Sequence, residues 1–361
     1  MSGDPLPLQR GLCRDHLSLL KNTMSTTNST RVQAPNSISV DEQQFNDSIT
    51  LKPATGGVVD DVLMSRKQPE KHPNIKEEKN RINKKEEKNL KSLVSCTTDT
   101  FLGTLNVRTI REDHKRLELA TLFLRSNIKV LGIQEHRIVH EEEVKIERYL
   151  SGVHLITSSA WRNGRGAATG GVGVMLAKTA YNAITLIKSY GQRILLISFD
   201  GNPRLTVIIV YSPTEAATDE EAEDFHNNLR AAHRDVPAHH LLLTLGDLNA
   251  HLGKESNEDT GWYLHDRTNR NGTLLRDTLQ EGHLEATNHR FQKKSGKMWT
   301  FLSDGTLTKS LIDYILIKKK WRNSLKDTVV SNSFSSLGSD HRAVICKVKL
   351  SLRKQKTPPR T

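Results

Sequence analysis

Leu241-Leu-Leu-Thr-Leu-Gly-Asp-Leu-Asn249 opens as an apolar run of strand length and ends on a carboxylate and an amide. A second fragment runs the other way near the C-terminus, where Ser339-Asp340-His341 precedes the apolar run Ala343 to Val348. Apolar runs this short, bounded by Gly, Asn or Pro, suit strands better than helices. Asp247, Asn249 and His341 then sit at strand ends, where a sheet can bring carboxylate, amide and imidazole to one point.

Working outward, the same texture recurs from Phe101 onward. Phe101–Val107, Lys129–Gln134, Val172–Leu176, Ile194–Phe199, Leu205–Tyr211, Ile312–Ile317, Asp327–Ser331 and Ala343–Leu350 read as further strands. Helices fill only some of the gaps. Leu117, Ala120 and Leu124 with flanking charges form one amphipathic helix. Glu215 to Ala232 forms another, with acidic residues in its first turns where the helix dipole favours them. Asn271 to Glu281 forms a third. Many strands with helices between some of them imply an α/β sandwich of packed sheets.

The ends of the chain read differently. Residues 1–97 mix Ser, Thr, Asn and Gln with the Lys/Glu-rich repeats Lys76-Glu-Glu-Lys-Asn80 and Lys85-Glu-Glu-Lys-Asn89. Ile75, Ile82 and Leu90 make too narrow an apolar stripe for a packed helix, so this segment reads as a disordered tail. It accounts for much of the low hydrophobic fraction of 35%, which leaves the remainder able to bury a core. The net charge of +12 includes +3 from residues 1–97 and +4 from the basic tail 351–361. A basic balance favours polyanionic partners. Cys13, Cys96 and Cys346 have no CxxC spacing, which argues against a disulfide framework or structural zinc. No stretch is apolar enough to span a membrane, and no secretory signal is visible.

Polar residues close several strands: Asn106, Gln134-Glu135, Tyr211-Ser-Pro-Thr214, Asp247 with Asn249, and Asp313, joined by Asp340-His341. Singly, each is a turn residue or helix cap more often than a functional one. Together they supply the hard oxygen ligands that Mg²⁺ prefers and the neutral donors that a phosphodiester needs.

On the strings Leu105-Asn-Val-Arg-Thr109, Gly132-Ile-Gln-Glu-His136, Gly170-Gly-Val-Gly-Val174, Val210-Tyr-Ser-Pro-Thr214, Leu245-Gly-Asp-Leu-Asn-Ala250, Leu311-Ile-Asp-Tyr-Ile315 and Ser339-Asp-His341, residues 98–350 resemble the endonuclease/exonuclease/phosphatase superfamily. The resemblance is nearest to the apurinic-type endonuclease domains of RTE-clade non-LTR retrotransposons and their craniofacial development protein 2-like host relatives. It implies a four-layered α/β sandwich and a Mg²⁺-dependent DNA endonuclease, with Mn²⁺ as an alternative ion, acting in the nucleus or also the cytoplasm. It assigns Glu135 as main metal ligand, with Asp340 nearby or acting through water. Asp247 would orient or deprotonate the attacking water, and Asn249 would hold that water and contact the phosphate. His341, fixed by Asp313, would donate to the phosphate. Asn106 would support the metal carboxylate and the phosphate, and Tyr211 would donate to a phosphate oxygen or assist the base. In-line attack would leave 3′-hydroxyl and 5′-phosphate ends.

Arg108 stands where many apurinic endonucleases carry a carboxylate, which weakens the case for dedicated abasic repair; it is either a phosphate contact or a surface arginine. Leu311 stands where related domains often carry a polar residue. With the sequence ending at Thr361, no reverse transcriptase is expected to follow, which would make the chain either a truncated element product or a host protein derived from one. His136 reads as a surface residue or a DNA contact, and His239-His240 as a loop pair. Trp299, beside the turn Ser303-Asp-Gly305, reads as core packing, with a DNA minor-groove probe as the other reading of that loop. Gly164 to Gly173 lacks the Lys-Ser/Thr of a nucleotide loop, so no nucleotide cofactor is expected. Two other readings stand beside the endonuclease: a phosphatase of the same superfamily, and a domesticated chromatin- or partner-binding protein with little catalysis.

Overall fold

The computed structural model describes residues 92–254 and 263–352. The expectations for the Lys/Glu-rich repeats and for the basic segment from residue 353 onward lie outside the described residues. In chain order, β1 (Thr100–Asn106), helix α1 (Asp113–Arg125), β2 (Ile128–Gln134), β3 (Val144–Arg148) and β4 (His154–Ser158) come first. The two-residue strands β5 (Trp161–Arg162) and β6 (Ala168–Thr169) precede β7 (Val172–Leu176), β8 (Ile184–Ser189), β9 (Ile194–Phe199) and β10 (Leu205–Tyr211). Helix α2 (Asp219–Asp235), β11 (Leu241–Asp247), helix α3 (Arg270–Glu281) and β12 (Leu284–Ala286) follow. The chain continues through β13 (Phe301–Leu302), β14 (Lys309–Ser310), β15 (Asp313–Lys318), β16 (Leu325–Ser331) and β17 (Ala343–Val348).

Two mixed sheets dominate. One has seven strands in the order β16-β17-β1-β2-β7-β4-β3, the other six in the order β12-β15-β11-β10-β9-β8. Strand alternation sends one side chain to the inter-sheet core and the next outward. In β10, Leu205, Val207 and Ile209 pack between the sheets, while Ile208 and Val210 face outward with Phe225 and Leu229 of α2 and Leu275 of α3. In β2, Val130 faces inward, while Leu131 and Ile133 pack with Leu119 and Phe123 of α1. The result is helix, sheet, sheet, helix: the expected four-layered α/β sandwich. At Gly132 a Cβ would lie 3.2 Å from Leu245 Cβ of the facing sheet, so the bare backbone sets how closely the sheets approach.

The strands expected from sequence are present, with small shifts at their ends. The charged edge strand β3, the buried β4 and the half-exposed β8 were not foreseen. Helix α2 begins at Asp219, later than expected, because the Thr218 side chain caps it by accepting from Glu221 N at 3.2 Å. In α1 the buried stripe is Leu119, Ala120 and Phe123, whereas Leu117 and Leu124 are exposed. Of the expected apolar face only Ala120 is buried; docking on the sheet turned the helix so that Leu119 and Phe123, rather than Leu117 and Leu124, complete the stripe.

Candidate active site

The site is the polar end of the inter-sheet core. Along β11 the inward series Leu241, Leu243, Leu245 continues to Asp247; along β10 it continues to Tyr211. In β15, Ile317 and Ile315 lead back to Asp313, and in β1, Leu102 leads through Thr104 to Asn106. Register aligns these ends: Tyr211 opposite Asp247, Asp247 opposite Asp313, and Asn106 opposite Gln134. The same period of two that fills the core with leucine and valine therefore delivers polar groups from both sheets to one place.

Asn106 links the sheets. Its Nδ2 donates to Glu135 Oε1 and to Asp247 Oδ2, each at 3.0 Å. Tyr211 Oη also donates to Glu135 Oε1, at 2.8 Å. Burial opposes ionisation of Glu135, but hydrogen bonds from Arg137, Asn106 and Tyr211 outweigh it and hold the carboxyl below its ordinary range. For Tyr211, burial first and the Glu135 and Asp247 charges second push the phenol up, leaving it a donor rather than a base.

Asp247 and Asp313 face each other across neighbouring strands, a repulsive pairing unless a cation intervenes. His341 supplies it. Its Nδ1 lies 2.9 Å from Asp313 Oδ2 and its Nε2 lies 4.0 Å from Asp247 Oδ2. Burial works against the charged ring, but Asp313 and then Asp247 and Asp340 outweigh it and push its pKa up to about 9. Nδ1 therefore carries a proton and donates it to Asp313. Burial and the Asp313 charge push Asp247 up to about 7, against the pull of His341, Asn106 and the Asn249 N–H. Ser339 fixes the approach of His341: its Oγ donates to Asn106 O at 2.7 Å and accepts from His341 N at 3.1 Å. Asn249, at φ +47°, gives its N–H to Asp247 Oδ1 at 3.0 Å and its amide to Ser212 O at 2.9 Å.

Asp340 stands apart from the Glu135 network, 3.2 Å from the Arg108 guanidinium, which also reaches Asp304 at 3.1 Å. Arg137 escaped the sequence reading. Its guanidinium bonds Glu135 Oε2 at 2.7 Å, and position two residues after the strand-end glutamate was the available signal. His136 is neither a surface residue nor a DNA contact. It is buried with Nε2 near the Ser158 and Val172 carbonyls and Nδ1 accepting from Ile138 N, and burial pulls its pKa down to about 4. Gly171, at φ +88°, lies where a Cβ would strike that ring at 2.5 Å. His240 is buried against Thr206, so the expected loop pair is half structural. Trp299 is half-buried beneath Arg342 rather than a core residue.

Among the described residues, Asp247, Asp313 and His341 offer ligand atoms within 4.8 Å of one another. A charged His341 cannot ligate, and its bond to Asp313 already uses that pair, so this trio suits proton handling better than a cation. Glu135 fits a hard cation better. It is ionised, and a carboxylate has about four acceptor sites, of which Asn106, Tyr211 and Arg137 take three.

Residues 103–341 match the endonuclease/exonuclease/phosphatase family. The chain belongs to that family. Craniofacial development protein 2 of Bos taurus and of Tragulus javanicus are each 29% identical to this family member over 261 residues, 72% of the chain. The chain spans less than half of those relatives, the match covering 42% and 44% of their lengths. Similar folds include a 3′-5′ exonuclease from Neisseria meningitidis (TM-score 0.53, 18% identity, 69% of this chain and 100% of that one). Another is an AP endonuclease from Leishmania major (TM-score 0.52, 14% identity, 72% of this chain and 93% of that one). Among the described residues no helix is long and apolar enough to cross a membrane.

Proposed function

We propose that residues 98–350 form a Mg²⁺-dependent phosphodiester hydrolase, a retrotransposon-derived DNA endonuclease that nicks one strand and leaves 3′-hydroxyl and 5′-phosphate ends. The reading rests on one observation: Asp247 Oδ2 lies 4.0 Å from His341 Nε2, with Asp313 behind the ring. An acceptor with a pKa of about 7 is suited to take a proton from an attacking water near neutral pH. A charged imidazole is suited to donate to the phosphate oxygen as negative charge builds.

Asn249 fixes the Asp247 carboxylate, and Asn106 keeps it in register with Glu135. Tyr211 and Arg137 orient Glu135. Glu135, with Asp340 as a more distant carboxylate, would hold Mg²⁺ or Mn²⁺, and the bound ion would neutralise phosphate charge. Arg108, paired with Asp340, puts a fixed positive charge where related domains often have another carboxylate, which favours general nicking over abasic repair. DNA as substrate is supported by the basic balance of the chain and by the endonuclease and exonuclease names of its fold relatives. A nuclear location accords with that substrate.

Supercoiled plasmid incubated with the full chain and Mg²⁺ tests the reading. Nicked circles are expected, and Asp247→Ala and His341→Ala, checked for folding, are expected to abolish them. Tight DNA binding with no nicking would replace this reading with the binding-protein one, and release of phosphate from a phosphoinositide would replace it with a phosphatase.

A further inference from the structure

A groove of about 410 Å³ opens at His341, between the hairpin β13–β14 and the turn before β17. Its walls include Arg108, Trp299, Asp304, Asp340 and Arg342. That volume falls within the ~300–1,000 Å³ typical of ligand sites and is enough for one nucleotide. Arg342 follows His341 directly, and its N–H donates to Thr300 O at 2.7 Å, anchoring it to the segment just before β13 that carries Trp299 into the wall. The guanidinium carbon lies 3.3 Å from the Trp299 ring centroid, so stacking holds the fork in place.

The charges around the site differ in one respect. Arg108 has Asp304 and Asp340, Arg137 has Glu135, and Arg193 has Glu221, each within 3.2 Å. Arg342 has no carboxylate partner among the described residues, and its single side-chain bond is a long one of 3.4 Å to Gly296 O. The two carboxylates in the groove, Asp304 and Asp340, both pair with Arg108, which offsets one of their two charges, and neither pairs with Arg342. A fixed, uncompensated guanidinium with free donors is a ready receptor for a phosphodiester oxygen pair.

We propose that Arg342, held by Trp299, binds the backbone phosphate next to the scissile one and so sets the register of the DNA strand on His341. The inference deepens the nuclease reading and rests on it.

Short duplexes carrying one neutral methylphosphonate at each position around the nick test the proposal, with binding measured in chelator and nicking in Mg²⁺. For the unaltered chain, neutralising one linkage beside the nick is expected to weaken binding about tenfold. Arg342→Ala is expected to show the same loss on ordinary DNA, no further loss at that linkage, and a log–log salt slope shallower by about 0.9. KM rises while kcat stays within about twofold. Arg342→Lys, which keeps the charge and loses the fork, recovers only part of the affinity and guards against misfolding of the alanine variant. Additive losses, or a fall in kcat at unchanged KM, overturn the proposal. If DNA is bound with this coupling but never nicked, the nuclease reading fails alone; if nicking proceeds without the coupling, the Arg342 assignment fails alone.

Discussion

Asp313 Oδ2 stands 2.9 Å from His341 Nδ1, and both side chains are buried. The other Asp313 oxygen is buried with no hydrogen-bond partner among the described residues, so the imidazolium is the main compensation there. Charge and orientation of the ring are thus built into the fold before substrate arrives.

From this pair follows a pH profile. Activity needs Asp247 ionised, so it rises through about pH 7; it needs His341 protonated, so it falls through about pH 9. Asp313→Asn removes the charge that raises the histidine, and the upper limb moves down toward the ordinary histidine value near ~6.5, with kcat lower by about 10²–10⁴. An upper limb that stays in place would refute the assigned pairing.

Asn106→Ala deprives Glu135 and Asp247 of their common donor. The lower limb is expected to move upward in pH, because Asp247 loses a hydrogen bond to its charged form. Plasmid nicking at neutral pH falls about 10²–10³-fold, comparable with loss of a preorganised donor. Unaltered rates across the profile would show that the bridge has no chemical role.

Glu135→Gln tests the cation site. The Mg²⁺ concentration giving half-maximal nicking is expected to rise by at least about tenfold, and Mn²⁺ titration followed by electron paramagnetic resonance should show the same weakening. Chelator abolishes nicking by the unaltered chain. Identical titrations for the two proteins would move the ion elsewhere, with the Asp247–Asp313–His341 trio the next place to look.

Gly132→Val tests sheet spacing. Its branches would meet Leu245 and Ile209, where even a Cβ lies at 3.2–3.3 Å. Overpacking of this kind costs about 1–3 kcal/mol, read from urea denaturation. A stable variant would mean that the sheets separate freely there.

Acid stability should decline early. Burial lowers the pKa of His136 and His226 to about 4, and of His233 and His289 to about 3. Each binds a proton more readily unfolded than folded, so stability is present above about pH 6.5 and is lost as pH falls toward these values. The slope approaches about 1.4 kcal/mol per pH unit for each fully contributing histidine. Urea midpoints at pH 7, 6 and 5 measure it, and a flat series would contradict neutral burial.

How much of this was legible depended on where each residue's partners lie. Val172–Leu176 and Ile194–Phe199 were readable because strands buried on both faces are written as continuous apolar runs. The charged edge strand Val144–Arg148 carries no such mark, since one side faces solvent. Leu117 and Leu119 are equally apolar, and only docking on the first sheet decided which is buried.

The sequence by itself determined the strand-rich sandwich, the family, and the residue types at the strand ends, because period-two alternation and turn chemistry are local. Only the tertiary structure decided which of those ends meet. It bridged Glu135 to Asp247 through Asn106, turned Arg137 onto the metal-binding candidate, buried His136, and stacked Arg342 on Trp299 with no carboxylate partner among the described residues. Those relationships depend on distances between residues remote in the chain, which the register and spacing of two packed sheets set.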